Sequence, residues 1–331
     1  MASIKEVAEV AGVSTATVSR VLANRPHVRP ELYERVMAAV AKLEYRPNLV
    51  ARSLRSQQSN TIGLIVSDIR NPFFTSISRA VEDAAYAQGY RVILCNTDDN
   101  PEKEAAYLCL MHDEHIAGAI FSPTRPALAN LAALTNGFPT VLVDRSLKNG
   151  SVDAVLLDNV MAGYDLTAHL IAQGYQRIGA LFGEESTTGR ERRQGYEAAL
   201  REHGVAPVAK LCKFVPARKE TGYVAALELL DAAQPPDAIF TSNSLLTAGA
   251  LQAIRERQLT IPGDVALVGF DETIWTSLLQ PTITVMEQPT DEIGKTATEL
   301  LLQRITNPNR PPRTVTLKGQ LLVGGSSALR R

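Results

Sequence analysis

The chain has 331 residues, 45% of them hydrophobic, and a formal net charge of −1 at pH 7. This length suits two or more domains with a sizeable core, and the composition excludes a disordered or collagen-like protein. No apolar run is long enough to span a bilayer, and no signal peptide is predicted at the N-terminus. Three widely spaced cysteines, Cys95, Cys109 and Cys212, fit neither a disulfide framework nor a zinc site, so we expect reduced thiols in the cytosol.

The small net charge hides an uneven distribution along the chain. Residues 1–60 contain nine Lys and Arg against five Glu, so this segment carries +4 and the remaining residues carry −5. A basic segment on an acidic body is typical of a head that binds nucleic acid. Basic surfaces without any partner are also common, so the charge supports this interpretation without establishing it.

Two short helices joined by a glycine turn are predicted at the start of the chain. Ser3 and Glu6 have the spacing of a capping box, so a helix begins at Ile4, and Gly12 can end it because glycine tolerates a positive φ. Ser14 is a suitable N-cap for the second helix. This layout is typical of a helix-turn-helix, whose second helix enters the DNA major groove. An ordinary helical hairpin with a polar surface is the alternative.

Two further helices are predicted before residue 60. Pro30 can occupy the first turn of a third helix, where its missing N–H costs nothing, and apolar residues follow at helical spacing. Pro47 then breaks the chain. Asn48 can cap a short fourth helix over residues 49–55, which is too short to be stable alone in water. The polar residues 56–60 are predicted to form a linker.

Three motifs in this N-terminal segment match those of a known family. They are AEVAGVSTATVSR at Ala8–Arg20, YRPN at Tyr45–Asn48, and Ala51 with Leu54. This pattern resembles the lactose-repressor (LacI/GalR) family of DNA-binding regulators. The resemblance implies a hinge helix that orders on the operator, with Leu54 wedged into the minor groove so that the duplex bends. Packing of Leu54 in a protein core is the alternative.

The same resemblance indicates which residues contact DNA. The second helix would lie in the major groove and the hinge helix in the minor groove. Ala16 has no hydrogen-bonding group, so it could contact only a thymine methyl. The predicted DNA-binding residues are Ser14, Thr15, Ala16, Thr17, Ser19, Arg20, Asn24, Asn48, Ala51 and Leu54.

From residue 61 onward, short apolar strands alternate with helices, as in βαβ units on a parallel sheet. The first series of predicted strands is at 62–66, 91–94, 119–121 and 140–143. A second series begins near Ala154, with strands at 178–182, 211–215, 238–240 and 266–268. The fold class expected is therefore an all-α helix-turn-helix head followed by two doubly wound α/β lobes with parallel sheets.

These lobes are similar to the periplasmic-binding-protein-like core of the family, in which the chain crosses between lobes three times. We therefore expect the segment after Gln288 to return to the first lobe, with a helix at 292–305 and a strand at 314–322. The predicted domains are a DNA-binding head, a hinge helix with its linker, and a two-lobed domain for effector binding and dimerisation, at 1–47, 48–60 and 61–331.

Polar residues that follow predicted strands are the candidate effector ligands. Ligands of doubly wound sheets bind beyond the carboxyl ends of the strands, and a cleft between lobes is a favoured site. Phe73 or Phe74 could cover a sugar or base ring, or both could pack in the lobe core. The predicted effector-binding residues are Asn71, Phe73, Phe74, Ser122, Asp144, Arg145, Arg190, Arg192, Asn243, Asp271 and Trp275.

The strongest ligand motif is GRERRQGY at Gly189–Tyr196. Three arginines at a predicted helix start oppose the helix dipole, which suggests a partner with negative charge or many acceptors. The resemblance implies that Arg192 holds effector hydroxyls or a carboxylate, to which a guanidinium can donate in bidentate fashion. A solvated basic helix face is the alternative, and it suits Arg190 and Arg193 better.

Three further positions bear on the ligand. Asn243 matches an Asn-Asp pair common in the family, whereas Ser244 departs from it and removes a carboxylate from the expected cleft. Asp271, after Val-Gly-Phe, could accept two sugar hydroxyls. Trp275 could stack on a ligand or pack near the lobe junction. These groups predict a small sugar, sugar acid or sugar phosphate, with a slight preference for an anion, although family members also bind purines.

The sequence thus predicts a cytoplasmic DNA-binding regulator, a repressor of a carbohydrate-utilisation operon. Its partners would be a pseudopalindromic operator, the effector and a second copy of the chain. No cofactor, metal or catalytic residue is predicted, because nucleotide-binding and hydrolase motifs are missing. His112 and His115 have a metal-binding spacing but suit a solvated helix face.

A periplasmic-type sugar-binding protein without a transcriptional role is the alternative function. It would share the two-lobed core, but the basic helical head and the lack of a signal peptide argue against it. The end of the chain carries no leucine heptads, so a homodimer is expected rather than a tetramer.

Overall fold

The computed structural model describes residues 2–22, 28–45, 59–129, 131, 135, 138–146, 150–184 and 186–329. The chain divides into two compact units, Met1–Ser59 and Asn60–Arg331. The predicted hinge helix and the predicted DNA contacts Asn24, Asn48, Ala51 and Leu54 lie outside the described residues. Within the described part of the chain, every helix is too short or too polar to cross a membrane.

The described residues of the N-terminal unit form three helices, α1 (Ile4–Ala11), α2 (Thr15–Leu22) and α3 (Pro30–Lys42). Both halves of the predicted capping box are present. The Ser3 N–H donates to the Glu6 carboxylate at 2.6 Å, and the Glu6 N–H donates to the Ser3 hydroxyl at 3.3 Å. Gly12 ends α1 with a φ of 62°, as its tolerance of the left-handed region predicts.

The turn between α1 and α2 is held from both sides. The Thr17 N–H donates to Ser14 Oγ at 3.2 Å, which makes Ser14 the predicted N-cap. Arg35 on α3 donates from Nη2 to the carbonyls of Ala11, at 2.7 Å, and Gly12, at 3.2 Å. A small core closes the unit and leaves the outer face of α2 free. It consists of Val7, Ala8, Ala11, Val18, Val21, Val36 and Ala39.

The larger unit contains two six-stranded sheets, one in each lobe. The strands of the first sheet are β1 (Thr61–Val66), β2 (Arg91–Asn96), β3 (Gly118–Phe121), β4 (Thr140–Val143), β5 (Asp153–Leu157) and β11 (Thr314–Leu317). Their order is β11-β5-β4-β3-β1-β2, and all pairings are parallel. Helices pack on both faces over separate cores. They are α4 (Pro72–Ala87), α5 (Pro101–Asp113), α6 (Arg125–Ala129) and α12 (Thr290–Thr306).

The second lobe repeats this architecture. Its strands are β6 (Ile178–Gly183), β7 (Cys212–Val215), β8 (Ala238–Thr241), β9 (Ala266–Phe270), β10 (Thr284–Glu287) and β12 (Gln320–Leu322). Their order is β12-β10-β9-β8-β6-β7, with β12 an antiparallel edge strand and the other pairings parallel. The helices are α7 (Asn159–Ala172), α8 (Thr187–Glu202), α9 (Lys219–Leu230), α10 (Ser244–Glu256) and α11 (Ile274–Leu278).

The chain crosses between the lobes three times, after β5, after β10 and between β11 and β12. The expected return after Gln288 is confirmed for α12 and β11. Two details of the prediction are wrong. Ala154 belongs to β5 of the first sheet, where it pairs with Leu142 and Thr314, so the second series starts later. The strand predicted at 314–322 is two strands in different sheets.

Buried polar side chains fasten the C-terminal segment to the second lobe. Ser327 Oγ lies 2.8 Å from His169 Nε2 and 2.5 Å from Thr284 Oγ1. The Tyr175 hydroxyl donates to the Ala328 carbonyl at 2.8 Å. Because buried hydroxyls and imidazoles need partners, this cluster ties the chain beyond β12 to α7 and β10.

Stability is expected to fall with decreasing pH through His169. Burial lowers the pKa of this imidazole, so the folded chain binds the proton less readily than the unfolded chain. The stability that depends on a neutral His169 is therefore complete above the ordinary imidazole pKa of about 6.5. It is lost as the pH falls through the lowered pKa of the folded state. In urea unfolding at about pH 7 and about pH 5, wild type should lose more stability than His169→Gln, which cannot titrate. Equal losses would contradict this role of His169.

Candidate functional site

In both sheets, the order of successive strands changes direction at an equivalent strand. In the first sheet β1 lies between β2 and β3, and in the second sheet β6 lies between β7 and β8. In such sheets ligands bind beyond the carboxyl ends of the strands, at the point of reversal. Asn71 caps α4 after β1, and Asn243 caps α10 after β8. Each lobe therefore presents a polar helix start at its expected ligand edge.

A cleft of about 270 Å³ lies at these strand ends within the larger unit. Its first-lobe side is formed by Ser67, Asp68, Asn71, Phe73, Phe74, Asp98, Asp99, Asp144 and Arg145. Its second-lobe side is formed by Gly183, Glu184, Ser186, Thr188, Gly189, Arg192, Pro216, Ala217, Arg218, Ser242, Asn243, Leu245 and Asp271. Gln288, on the second crossing between the lobes, completes the lining.

Two aspartates occupy equivalent strained positions in the cleft. Asp144 follows β4 with a φ of 66°, and Asp271 follows β9 with a φ of 71°. A left-handed conformation costs a residue with a side chain about 1–3 kcal/mol, and it concentrates at ligand sites. Asp271 accepts hydrogen bonds from Gln288 Nε2 at 2.6 Å and from the Ser244 N–H at 3.2 Å. Burial raises the pKa of Asp144.

Arg192 reaches the cleft from α8 and is 4% exposed. Its Nε donates to Asn159 Oδ1 at 2.8 Å, and its Nη1 donates to the Ser242 carbonyl at 2.5 Å. The guanidinium carbon lies 4.0 Å from the centroid of the Phe270 ring, a cation–π arrangement. Burial lowers the pKa of Arg192, against the opposing effect of Asp271 and Asp144. These contacts fix the guanidinium and leave Nη2 available to a ligand.

Arg145 has a different role from Arg192. Its Nη1 donates to Asp99 Oδ1 at 2.6 Å and to the Pro123 carbonyl at 3.1 Å, and its Nη2 donates to Asp99 Oδ2 at 3.3 Å. It therefore links the loops that follow β2, β3 and β4. Because both terminal nitrogens are used in this way, its main contribution is to orient the first-lobe edge of the cleft.

The helix α2 presents a small polar surface to solvent. Thr15, Ala16, Ser19 and Arg20 are exposed. Thr17 is partly buried, and its hydroxyl lies 3.0 Å from the Ser14 hydroxyl. A short helix fixed by a tight turn, with its N-terminal residues exposed, has the geometry that docks into a DNA major groove.

The chain matches the model of bacterial regulatory proteins of the lacI family over residues 3–48 and a periplasmic binding protein-like domain over residues 167–327. It is 32% identical over 326 residues to the transcriptional repressor PurR of Photobacterium profundum, covering 98% of both chains. It is also 32% identical to the ribose operon repressor of Escherichia coli, covering 99% of this chain and all of that one. The chain belongs to the lacI family.

Solved structures of similar sequence share the fold. The lac repressor dimer bound to operator and the anti-inducer ONPF matches with a TM-score of 0.89 and 26% identity over 99% of both chains. The regulator CelR in complex with cellobiose matches with a TM-score of 0.75 and 29% identity, covering 98% of this chain and all of that one. The present chain is therefore a DNA-binding transcriptional regulator, and its head distinguishes it from a sugar-binding protein without a transcriptional role.

In this lacI-family regulator, eight of the eleven predicted effector ligands lie together in the cleft. Ser122, Arg190 and Trp275 are not among its lining residues. Ser122 is fully buried, with its hydroxyl 3.2 Å from that of Ser67. Arg190 is exposed on α8, and Trp275 packs against the second-lobe core. The predicted residues in the lining are Asn71, Phe73, Phe74, Asp144, Arg145, Arg192, Asn243 and Asp271.

Several lining residues are missing from the sequence prediction. Asp98 and Asp99 follow β2 with positive φ values of 54° and 53°. Their signal is the run of turn-forming polar residues at 96–101, which comes directly after a strand. Gln288, which donates to Asp271, follows an ordinary strand and has no distinguishing pattern in the sequence.

Ser244, the departure from the family pair, connects the two lobes. Its hydroxyl donates to Asn71 Oδ1 at 3.3 Å across the cleft, while its N–H donates to Asp271. An aspartate here would place a second carboxylate beside Asp271, and the two negative charges would repel each other. The substitution therefore replaces a charge with a neutral contact between lobes.

Proposed function

We propose that this regulator represses a carbohydrate-utilisation operon and senses a small hydroxyl-rich effector in the cleft between its lobes. The observation that carries the proposal is the cleft itself, where Asp144, Asp271 and Arg192 converge from both lobes. Carboxylates accept hydroxyl donors and a guanidinium donates to hydroxyl oxygens, so the set matches a sugar. Among structures similar to this chain, CelR is in complex with cellobiose and an Enterococcus faecium regulator has bound ribose.

The lining favours a monosaccharide over a purine. Phe73 and Phe74 are the aromatic residues among the described lining residues, and both lie on the first-lobe side. A planar base is held best between two flat faces, and no aromatic ring lines the described second-lobe side.

The operator would be bound by a homodimer with two heads on a pseudopalindrome. Ile274 and Leu278 on α11 are 81% and 75% exposed. Exposed apolar side chains on one short helix support a contact with a second copy. We place the protein in the bacterial cytoplasm, because its operator is there, and we retain the predicted domain limits 1–47, 48–60 and 61–331.

The coupling between the sites would pass through the hinge segment. Effector binding changes the lobe arrangement, which alters the docking of the hinge helix and of Leu54 on DNA. The coupling must be reciprocal, so operator binding changes effector affinity by the same factor. A gel-shift assay with a selected operator, with and without sugars that raise the melting temperature, tests this proposal. A protein that binds no operator, or an operator complex that no ligand alters, would overturn it.

Substitution of Arg20 by alanine is expected to weaken operator binding by about 10- to 100-fold, because loss of one arginine contact to DNA costs about 1–3 kcal/mol. Arg20 is exposed on α2, and Lys5→Ala, which removes the same charge from α1, is the matched control. Affinity measured by fluorescence anisotropy should fall much more for Arg20→Ala than for Lys5→Ala. Equal losses would show that only the overall charge of the head matters.

A further inference from the structure

The centre of the cleft carries an excess of negative charge. Asp144 and Asp271 line it, and Glu191 lies behind it, where its carboxylate accepts a hydrogen bond from Asn159. Glu191 and Asp144 interact electrostatically with each other and with Arg192. At this point of the described cleft, three carboxylates therefore face the guanidinium of Arg192, and the other cation nearby, Arg145, lies 3.4 Å from Asp144 and is shared with Asp99.

The other charges near the centre are already balanced. Arg145 forms its shorter ion pair with Asp99 at 2.6 Å and a longer one with Asp144 at 3.4 Å, so one cation serves two carboxylates. At the mouth, Arg70 pairs with Asp68 at 2.9 Å and Lys103 pairs with Asp98 at 2.5 Å. The two lining residues left, Glu184 and Arg218, are both exposed and of opposite sign. The net negative charge therefore remains at the buried centre.

The Asp144 carboxylate is buried beside Arg145. The Asp144 side chain is 9% exposed, and its nearest cation is Arg145 Nε, 3.4 Å from Oδ2. Among the described residues, none donates a hydrogen bond to its carboxylate. Burying a carboxylate without hydrogen-bond donors is unfavourable. A ligand that donates a hydrogen bond to Asp144 removes this cost and therefore binds more tightly.

The arginines that favoured an anionic ligand in the sequence do not face the cleft. Arg190 is exposed and is not among the lining residues. Arg193 donates to Glu197 at 2.5 Å, and its guanidinium lies 4.8 Å from the Phe214 ring centroid. Of the three arginines in the motif, Arg192 alone lines the cleft, so the sequence argument for an anion no longer holds.

We infer that the cleft selects against negatively charged effectors and binds a sugar that is uncharged or carries an amino group. This inference rests on the proposed function and specifies the charge class of the same effector. A sugar acid or phosphate would add charge of the same sign beside Asp144 and Asp271 in a poorly solvated site. A hydroxyl or ammonium group would instead donate to the Asp144 carboxylate.

Matched sets of ligands on one sugar scaffold test the charge class with the full chain. Each set contains the parent sugar, its 2-amino derivative, its uronic acid and its 6-phosphate, for glucose, galactose and mannose. On any scaffold that raises the melting temperature, we expect the parent or the amine to bind at least about tenfold more tightly than the acid and the phosphate. Tightest binding by an acid or a phosphate would overturn the inference.

Asp144→Asn tests the cause of the selection. The amide keeps the shape and removes the charge, so the variant should lose most of its discrimination against the uronic acid. Without any ligand, it should also melt about 2–4 °C higher than wild type, because a buried carboxylate without a hydrogen-bond donor is removed while Arg145 keeps its ion pair with Asp99. Asp113→Asn makes the same charge change at a side chain that is 81% exposed, and it should change neither property.

The two parts of the experiment separate the inference from the proposed function. If every sugar fails to bind, the melting temperature of Asp144→Asn decides about the charge at the centre. An unchanged or lower value would overturn the inference. If a purine binds instead, the sugar assignment fails, while the charge inference is still judged by Asp144→Asn. If Asp144→Asn discriminates against the uronic acid as strongly as wild type does, Asp144 is not the cause of the selection.

Discussion

Arg192→Ala is expected to abolish the response to effector while leaving operator binding intact. The guanidinium is 4% exposed and is fixed by Asn159, the Ser242 carbonyl and the Phe270 ring. Removing a buried, hydrogen-bonded charge from a ligand site costs about 2–5 kcal/mol. Effector affinity should therefore fall by about 30-fold or more, which is measurable by isothermal titration calorimetry with any sugar that stabilises the protein.

Two matched variants make this expectation specific. Arg190→Ala removes an equal charge from the same helix, but its side chain is exposed and outside the cleft, so effector affinity should be unchanged. Arg192→Lys keeps the charge but not the planar group that bonds two acceptors and stacks on Phe270. The effector affinity of Arg192→Lys should therefore be closer to that of Arg192→Ala than to that of wild type. A normal effector response in Arg192→Ala would show that another side chain is the main effector ligand.

Local chemistry was enough to predict the head. The capping box at Ser3 and Glu6, the glycine at position 12 and the N-cap at Ser14 are all present. Each depends on residues at most a few positions apart, so their geometry follows from short-range propensity. The contact of Arg35 with the Gly12 carbonyl joins residues 23 positions apart, and the sequence contains no pattern for it.

The strands were predictable where they are fully buried. β3 and β4 have every residue buried and stand out as short apolar runs. The strand predicted at 314–322 failed because β11 and β12 are both partly exposed and are separated by two residues. A Cβ on Gly319 would approach Met286 Sδ to 2.7 Å. This close passage between sheets is a tertiary feature that periodicity does not encode.

The cleft shows the same limit. Strand ends indicated Asp144 and Asp271, because carboxyl ends of parallel strands meet at one edge. The sequence could not show that Arg190 and Arg193 face away from Arg192, since all three share one short motif. Their directions depend on the packing of α8 against α7. Because Arg190 and Arg193 are not among the lining residues, the count of arginines in the motif does not support an anionic effector.

Substitution of Gly195 by alanine is expected to destabilise the second lobe by about 3 kcal/mol or more. In an exposed helix interior the same change would stabilise by about 0.5–1 kcal/mol. Here the added Cβ would lie 1.9 Å from the Val160 carbonyl and 2.6 Å from the Tyr164 nitrogen. These atoms belong to the backbone of α7 and cannot move away as a flexible side chain would.

Urea unfolding followed by fluorescence measures this effect directly, because Trp275 is the single tryptophan and packs against the second-lobe core. Gly183→Ala is the control, since its Cβ would lie 3.5 Å from the nearest side-chain atom, an ordinary contact. The control should unfold at nearly the wild-type urea concentration. Unaltered or increased stability in Gly195→Ala would show that helix propensity outweighs the contact between α7 and α8.

The same variant is expected to weaken effector binding. Gly163 on α7 faces the backbone of Arg192, and a Cβ there would lie 2.3 Å from the Arg192 carbonyl. The two glycines therefore let α7 and α8 touch within one turn of the effector anchor. Separating the helices at Gly195 must shift Arg192 relative to Asn159, whose Oδ1 accepts its hydrogen bond at 2.8 Å. Effector affinity in Gly195→Ala, measured at low temperature where the lobe is still folded, should fall in the same direction as in Arg192→Ala but by less.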